Sequence, residues 1–224
     1  MRNFEQIRND ICYQNLNVKI VGVGAGFSYG AYGHTHHGLE DIGILRTLPN
    51  MVILAPGDPV EAELSVIAMI KHKGPVYLRL GKAGEPMLHK KKPDFKIGKG
   101  IVMRDGKDVT IIASSTMLEA ALKIPHARII SMPTIKPIDE KIILDSAKKT
   151  KVIVTLEEHS VIGGLGSAVA EVLAESGLSV KFKRIGVPDR FTKVIGLQDY
   201  MRKANGLDRE SIIKVILTTI MKPL

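Results

Sequence analysis

The chain has 224 residues, 45% of them hydrophobic and 25% charged, enough to bury a full core as one large or two small domains. Its formal charge is +9, from 32 Lys and Arg against 23 Asp and Glu, and its single cysteine, Cys12, excludes an intrachain disulfide. No apolar run approaches a membrane span, and the N-terminus has neither signal- nor transit-peptide character, so a cytoplasmic protein is expected.

Strand-like and helix-like segments alternate throughout. Phe4, Ile7, Ile11 and Cys12 recur at helical spacing over Phe4 to Tyr13, and Val18 to Val23 reads as a strand. Leu39 to Leu48 predicts a short helix, and Met51 to Leu54 a short buried strand. Asp58-Pro59 opens a helix, with Asp as N-cap and Pro at the first position, that runs to about Lys73 before Gly74-Pro75. Val76 to Leu80 is the next strand. Gly81 to Pro93 shows no period and is taken as linker, followed by an extended piece near Ile97 to Met103. Strands then follow at Val109–Ala113, Ala127–Ser131, Lys151–Thr155 and Val180–Arg184. Helices fall near Thr116–Lys123, Glu140–Lys149, Ala168–Ser176, Gly196–Ala204 and Arg209–Met221. This alternation predicts an α/β protein of two consecutive units with mainly parallel sheets. The expected boundaries are 1–82 and 106–224, joined by a linker at 83–105.

The densest basic cluster, His89-Lys-Lys-Lys92, has no interleaved aromatics to stack bases and reads as a solvated linker, so neither nucleic acid nor membrane is an expected partner. The segment Gly26-Phe-Ser-Tyr-Gly-Ala-Tyr-Gly-His-Thr-His-His-Gly38 is the richest in chemistry. It places His34, His36 and His37 in a glycine-rich loop between a strand and a helix, where α/β proteins set their sites. His34 and His36 on one side of a loop suggest zinc, but no third ligand is nominated, so no metal site is assigned. Gly26-Phe-Ser-Tyr-Gly30 satisfies the Gly-x-Ser-x-Gly pattern, yet Gly30 and Gly33 intervene where a helix is needed after Ser28. Gly22-Val-Gly-Ala-Gly26 fails the dinucleotide spacing.

Gly33, Thr35, His36, Gly38, Glu40, Asp41, Arg46, Leu48-Pro-Asn-Met51 and Ala55-Pro-Gly-Asp58 form a pattern that resembles the pyrimidine-binding domain of the transketolase family. That family includes 1-deoxyxylulose-5-phosphate synthases and the β-subunits of 2-oxoacid dehydrogenases. Thr155-Leu-Glu-Glu-His-Ser-Val-Ile-Gly-Gly-Leu-Gly-Ser-Ala-Val169 is similar to the family's C-terminal domain, and Met132-Pro-Thr-Ile-Lys-Pro-Ile-Asp139 lies between the two in the expected order.

The resemblance implies a thiamine diphosphate enzyme that transfers a ketol unit between sugar phosphates; a 1-deoxyxylulose-5-phosphate synthase-like or 2-oxoacid dehydrogenase β-like component, or a non-catalytic assembly module from a truncated family member, are the alternatives it leaves open. It makes His36 catalytic at the thiazolium end of the cofactor, with His34 beside it, an imidazole being able to exchange a proton with a developing alkoxide near neutrality. Arg79 takes the position of a substrate-phosphate arginine. Tyr32 stands where many relatives carry Asp and is assigned to substrate recognition; a phenol cannot replace a carboxylate as base. Arg2-Asn-Phe-Glu-Gln6 matches the family's Arg-x-(Tyr/Phe)-(Asp/Glu)-Gln, putting Arg2 and Phe4 toward the cofactor. The glutamate that engages the aminopyrimidine, and an aromatic that packs on that ring, lie upstream of this segment in the family and are expected to be absent. The Gly-Asp-Gly…Asn segment that holds Mg²⁺ and the diphosphate is not found, which implies a partner chain, an N-terminal transketolase-like subunit, in a homo- or hetero-oligomer. Alone, the chain is expected to be inactive. Glu157, Glu158 and His159, before Gly163-Gly-Leu-Gly166, read as structural or interfacial, two acids beside a helix start counting against phosphate.

Overall fold

The computed structural model describes residues 2–221. The first unit contains α1 (Phe4–Gln6, continued by a π-helical turn at Ile7–Cys12), β1 (Lys19–Val23), α2 (Asp41–Leu45), β2 (Val52–Leu54), α3 (Pro59–Lys71) and β3 (Val76–Leu80). Asp58 caps α3 as its sequence predicts, its Oδ1 accepting from the Glu61 N–H at 2.8 Å. The second unit follows with β4 (Ile101–Arg104), β5 (Thr110–Ala113), α4 (Leu118–Leu122), β6 (Arg128–Ser131), β7 (Thr134–Lys136), α5 (Glu140–Thr150), β8 (Val152–Ser160), α6 (Leu165–Glu175), β9 (Lys181–Val187), α7 (Gln198–Ala204) and α8 (Arg209–Met221).

Two mainly parallel sheets result. One has the order β1-β3-β2-β7, with β7 antiparallel to β2; the other has the order β4-β6-β5-β8-β9, with β4 antiparallel to β6. The expected α/β architecture is therefore present. Three details differ from the sequence reading. Thr134 to Lys136 forms a strand of the first sheet that the sequence does not predict, because three residues between two prolines carry no readable period. The extended piece inside the expected linker is an edge strand of the second sheet. β8 runs to Ser160, past the expected strand end at Thr155, so Glu157, Glu158 and His159 belong to a buried strand.

The units share their interior. Phe27 and Leu39 from the first unit pack in the cluster that contains Ile111, Leu118, Ile129, Val154 and Met201 of the second. Ile42, Leu45 and Ile53 likewise pack with Ile112, Ile130, Leu165 and Val169. Gly163, with φ of 82°, lets the two backbones meet: a Cβ there would stand 2.9 Å from the Cα of Gly43. No helix among the described residues is long and apolar enough to cross a membrane.

Candidate functional site

The loop after β1 is pinched at its base. Gly26 and Gly38 exchange backbone hydrogen bonds, Gly26 N–H to Gly38 O at 2.9 Å and Gly38 N–H to Gly26 O at 3.0 Å. Between them the chain makes two short 3₁₀ turns, Gly30–Tyr32 and His34–His36, joined at Gly33 with φ of 80°, a left-handed value that favours glycine. The second turn carries the Thr-His pair outward. His34, Thr35 and His36 are all exposed, as is Tyr32. The Thr35 Oγ1 lies 3.0 Å from the His36 Nδ1, and the Tyr32 ring sits 5.3 Å from the imidazole. The His36 Nε2 takes no partner among the described residues, which leaves it open to a ligand.

The three histidines separate by environment. His37 is half-buried, stacks edge-on against Phe27 at 5.1 Å, and burial holds its pKa below the usual imidazole value. It is a packing residue kept neutral. His34 turns toward Phe191, 6.3 Å away. His34 and His36 belong to no cluster of metal-ligating side chains among the described residues. Ser28 is buried and donates its hydroxyl to Ala25 O at 2.7 Å, consistent with a structural serine.

Arg79 differs from its expected role. It is 1% exposed; its Nε donates to Asp41 Oδ2 at 2.9 Å, and its Nη2 to Gly38 O at 2.6 Å and Glu158 O at 3.0 Å. The guanidinium is buried and both Nε and Nη2 are spent within the fold, so it presents no fork to a phosphate. What it holds is the outgoing end of the histidine loop. Burial works against ionising both partners, but Arg79 and Tyr77 keep the Asp41 carboxyl below its usual range, and Asp41 keeps Arg79 charged. Beyond that end of β3, Lys82 is exposed and lines a cleft of about 200 Å³ with Arg202 and three carboxylates, Glu85, Glu119 and Asp199, a mixed charge that does not favour an anion.

Glu157, Glu158 and His159 are buried and each has a job inside the protein. Glu157 accepts from the N–H groups of Leu165 at 2.7 Å and Gly166 at 2.8 Å, filling the amino end of α6 that a phosphate could have taken. Burial pushes its pKa up to about 7 against those bonds. His159 accepts from the Gly43 N–H at 3.2 Å and bonds to Ser160 O at 2.7 Å through Nδ1; burial, aided by Arg79, brings its pKa down to about 4. Glu158 reaches Phe27, Gln198 and Arg202.

Phe4 lines a cavity of about 210 Å³ with Ile7, Ile20, Ile44, Tyr77 and Asp41, to which no residue of the histidine loop contributes; Arg2 is exposed. Its walls are mainly apolar and include two aromatics, Phe4 and Tyr77; Asp41, also in the lining, has a buried Oδ1 without a donor among the described residues. The acid–histidine cluster Asp58, Glu61 and His89 is satisfied internally. Asp58 Oδ2 accepts the Leu88 and His89 N–H groups, and Glu61 pairs with the His89 ring at 2.8 Å. It offers no donor set for a metal-bound diphosphate.

Comparison with known proteins establishes the family. Residues 1–84 match the family model for the transketolase pyrimidine binding domain, and residues 98–212 that for the transketolase C-terminal domain. A putative transketolase C-terminal section of Methanocaldococcus jannaschii is 43% identical, over 99% of this chain and 72% of that protein. An apulose-4-phosphate transketolase subunit from Phocaeicola vulgatus is 39% identical, over 99% and 73% respectively. A solved split-gene transketolase, described as an inactive β4 tetramer, superposes with a TM-score of 0.87 at 38% identity, covering 98% of this chain and 71% of that one. On the strength of two family domains, their order and these relatives, the chain belongs to the transketolase family.

Proposed function

We propose that this chain is the C-terminal subunit of a split, thiamine diphosphate-dependent transketolase that moves a ketol unit between phosphorylated sugars in the cytoplasm. The observation that carries the reading is the exposed Thr35-His36 pair on a loop fixed at both ends by buried groups. The cofactor, when bound, supplies carbanion stabilisation; the protein supplies orientation and proton handling. His36, held at Nδ1 by the Thr35 hydroxyl, directs Nε2 toward solvent and can hold or move a proton at a substrate carbonyl oxygen. His34 flanks it, and Tyr32 contributes a neutral phenol to recognition. Phe4, with Arg2 near it in sequence, would meet the aminopyrimidine end of the cofactor.

The diphosphate and Mg²⁺ would be held by an N-terminal transketolase-like subunit, since the acid–histidine cluster in the described residues is already satisfied. The solved relative is described as inactive in its β4 state, which supports an inactive isolated chain and an oligomer. The test is a turnover assay with thiamine diphosphate, Mg²⁺ and ketose and aldose phosphates, on this chain alone and with a partner bearing Gly-Asp-Gly…Asn. Ketol transfer only in the mixture supports the reading. Pyruvate-dependent formation of a deoxyketose phosphate would reassign the reaction to a deoxyxylulose-phosphate-synthase type, and tight association without turnover would make the chain an assembly module.

A further inference from the structure

Glu158 is a buried charge that the reaction as described does not use. It lies on β8 with its side chain 0% exposed, and its carboxylate accepts hydrogen bonds from three separate parts of the chain. Oε1 accepts the Phe27 N–H at 2.5 Å and the Gln198 Nε2 at 3.0 Å. Oε2 accepts the Arg202 Nε at 2.5 Å and the Thr116 hydroxyl at 3.4 Å. Core filling alone does not explain it, because a buried ion carries a desolvation cost that an apolar side chain of similar volume avoids.

Three of its four donors, Phe27, Gln198 and Arg202, border the histidine loop or the element behind it. Phe27 is the first residue inside the loop, and Gly26, with φ of 63°, clears the approach, since a Cβ there would stand 2.6 Å from the Glu158 Cγ. Gln198 and Arg202 belong to α7, whose leading segment backs the loop. A Cβ at Gly30 would meet Gly196 O at 2.7 Å, and one at Gly33 the Ile195 Cδ1 at 3.3 Å. We propose that Glu158 is a positioning residue for His36: its carboxylate fixes the incoming end of the histidine loop and locks that loop to α7. Arg79 holds the outgoing end at Gly38 O and also takes the Glu158 carbonyl, so both ends of the loop converge on one strand position. Bonds to a carboxylate are about twice as strong as neutral ones. Neutralising residue 158 therefore loosens the loop while leaving the His36 side chain itself unaltered.

The catalytic part of this inference rests on the proposed function; the structural part does not. Glu158→Gln retains the shape but puts an amide where the Phe27 N–H and the Arg202 Nε both need an acceptor. In the complex with the diphosphate-binding chain, kcat should fall about tenfold or more with KM changed far less, as misplacement of a catalytic group predicts. In the isolated chain, the Phe27 amide and His36 ring resonances should move, while the amides of β2 and α3 stay in place. Wild-type amide exchange gives a reading that does not depend on the variant folding: the Phe27 N–H should exchange about a hundredfold more slowly than an unprotected amide. Unprotected exchange at Phe27, or a folded variant with unchanged resonances and unchanged kcat, overturns the proposal. A wild-type complex without ketol transfer overturns the proposed function instead, and leaves the resonance and exchange measurements to decide the role of Glu158.

Discussion

The Arg79 guanidinium donates to the Asp41 carboxylate at 2.9 Å, and through that pair the middle of the first sheet is joined to the loop that presents His36. Arg79 is 1% exposed in its side chain and Asp41 21%. Removing one partner of a buried pair leaves the other uncompensated, at a typical cost of about 3–5 kcal/mol. Arg79→Met is expected to lower thermal stability severely in the isolated chain. A folded Arg79→Met with near-normal melting and a selective loss of phosphate-substrate affinity would restore the substrate role that the structure takes from it.

His36→Ala should behave in the opposite way. The side chain is exposed and bonded only to its neighbour Thr35, so stability should change by no more than about 0.5 kcal/mol. Turnover of the assembled enzyme should fall by about 10²–10⁴, the usual contribution of a positioned acid or base. Steady-state kinetics on the complex, with melting of the isolated variant as control, checks both halves.

The pH dependence of stability has two opposed parts. The pKa of Glu157 is raised to about 7 in the fold from an ordinary 4.5, so the folded state keeps its proton longer than the unfolded chain. Its contribution is fully present below 4.5 and is lost as pH rises through about 7. His159 is lowered from 6.5 to about 4, so its contribution is present above 6.5 and is lost as pH falls through about 4. The two windows overlap with opposite sign between 4.5 and 6.5, so in the wild type they offset each other there and a net decline appears only above 6.5; Glu157→Gln should remove that decline and uncover the rise with pH due to His159. Parallel melting curves for wild type and variant across about pH 4–8 decide it.

The segment after β3 is tied to α3 by Asp58 and by the His89–Glu61 pair. The hydrogen bond that His89 donates to Glu61 raises the pKa of His89, partly offset by burial, so this pair stabilises below the ordinary imidazole value and weakens as pH rises through the raised one. Asp58→Ala should cost about 0.5–2 kcal/mol for the lost cap alone. It should also speed amide exchange at Leu88 and His89, whose N–H groups both bond to Asp58 Oδ2. Unchanged exchange there would mean that the segment is held by other contacts.

Local order in the sequence was sufficient for much of this. Alternating strand and helix periods, Asp58-Pro59 as a helix start and glycines flanking a Thr-His pair are decided by residues within a few positions of one another, so the α/β class and the histidine loop were legible without coordinates. Other features depend on contacts across the chain. Arg79 as a buried tether needs Asp41 and the carbonyls of Gly38 and Glu158, and a strand-end arginine has the same local pattern whether it faces solvent or core. The strand at Thr134–Lys136 exists because β2 offers it an edge, and the Phe27–Glu158 bond spans 131 residues. Period and capping are short-range properties; burial, charge pairing and the satisfaction of buried donors are settled only when distant segments meet.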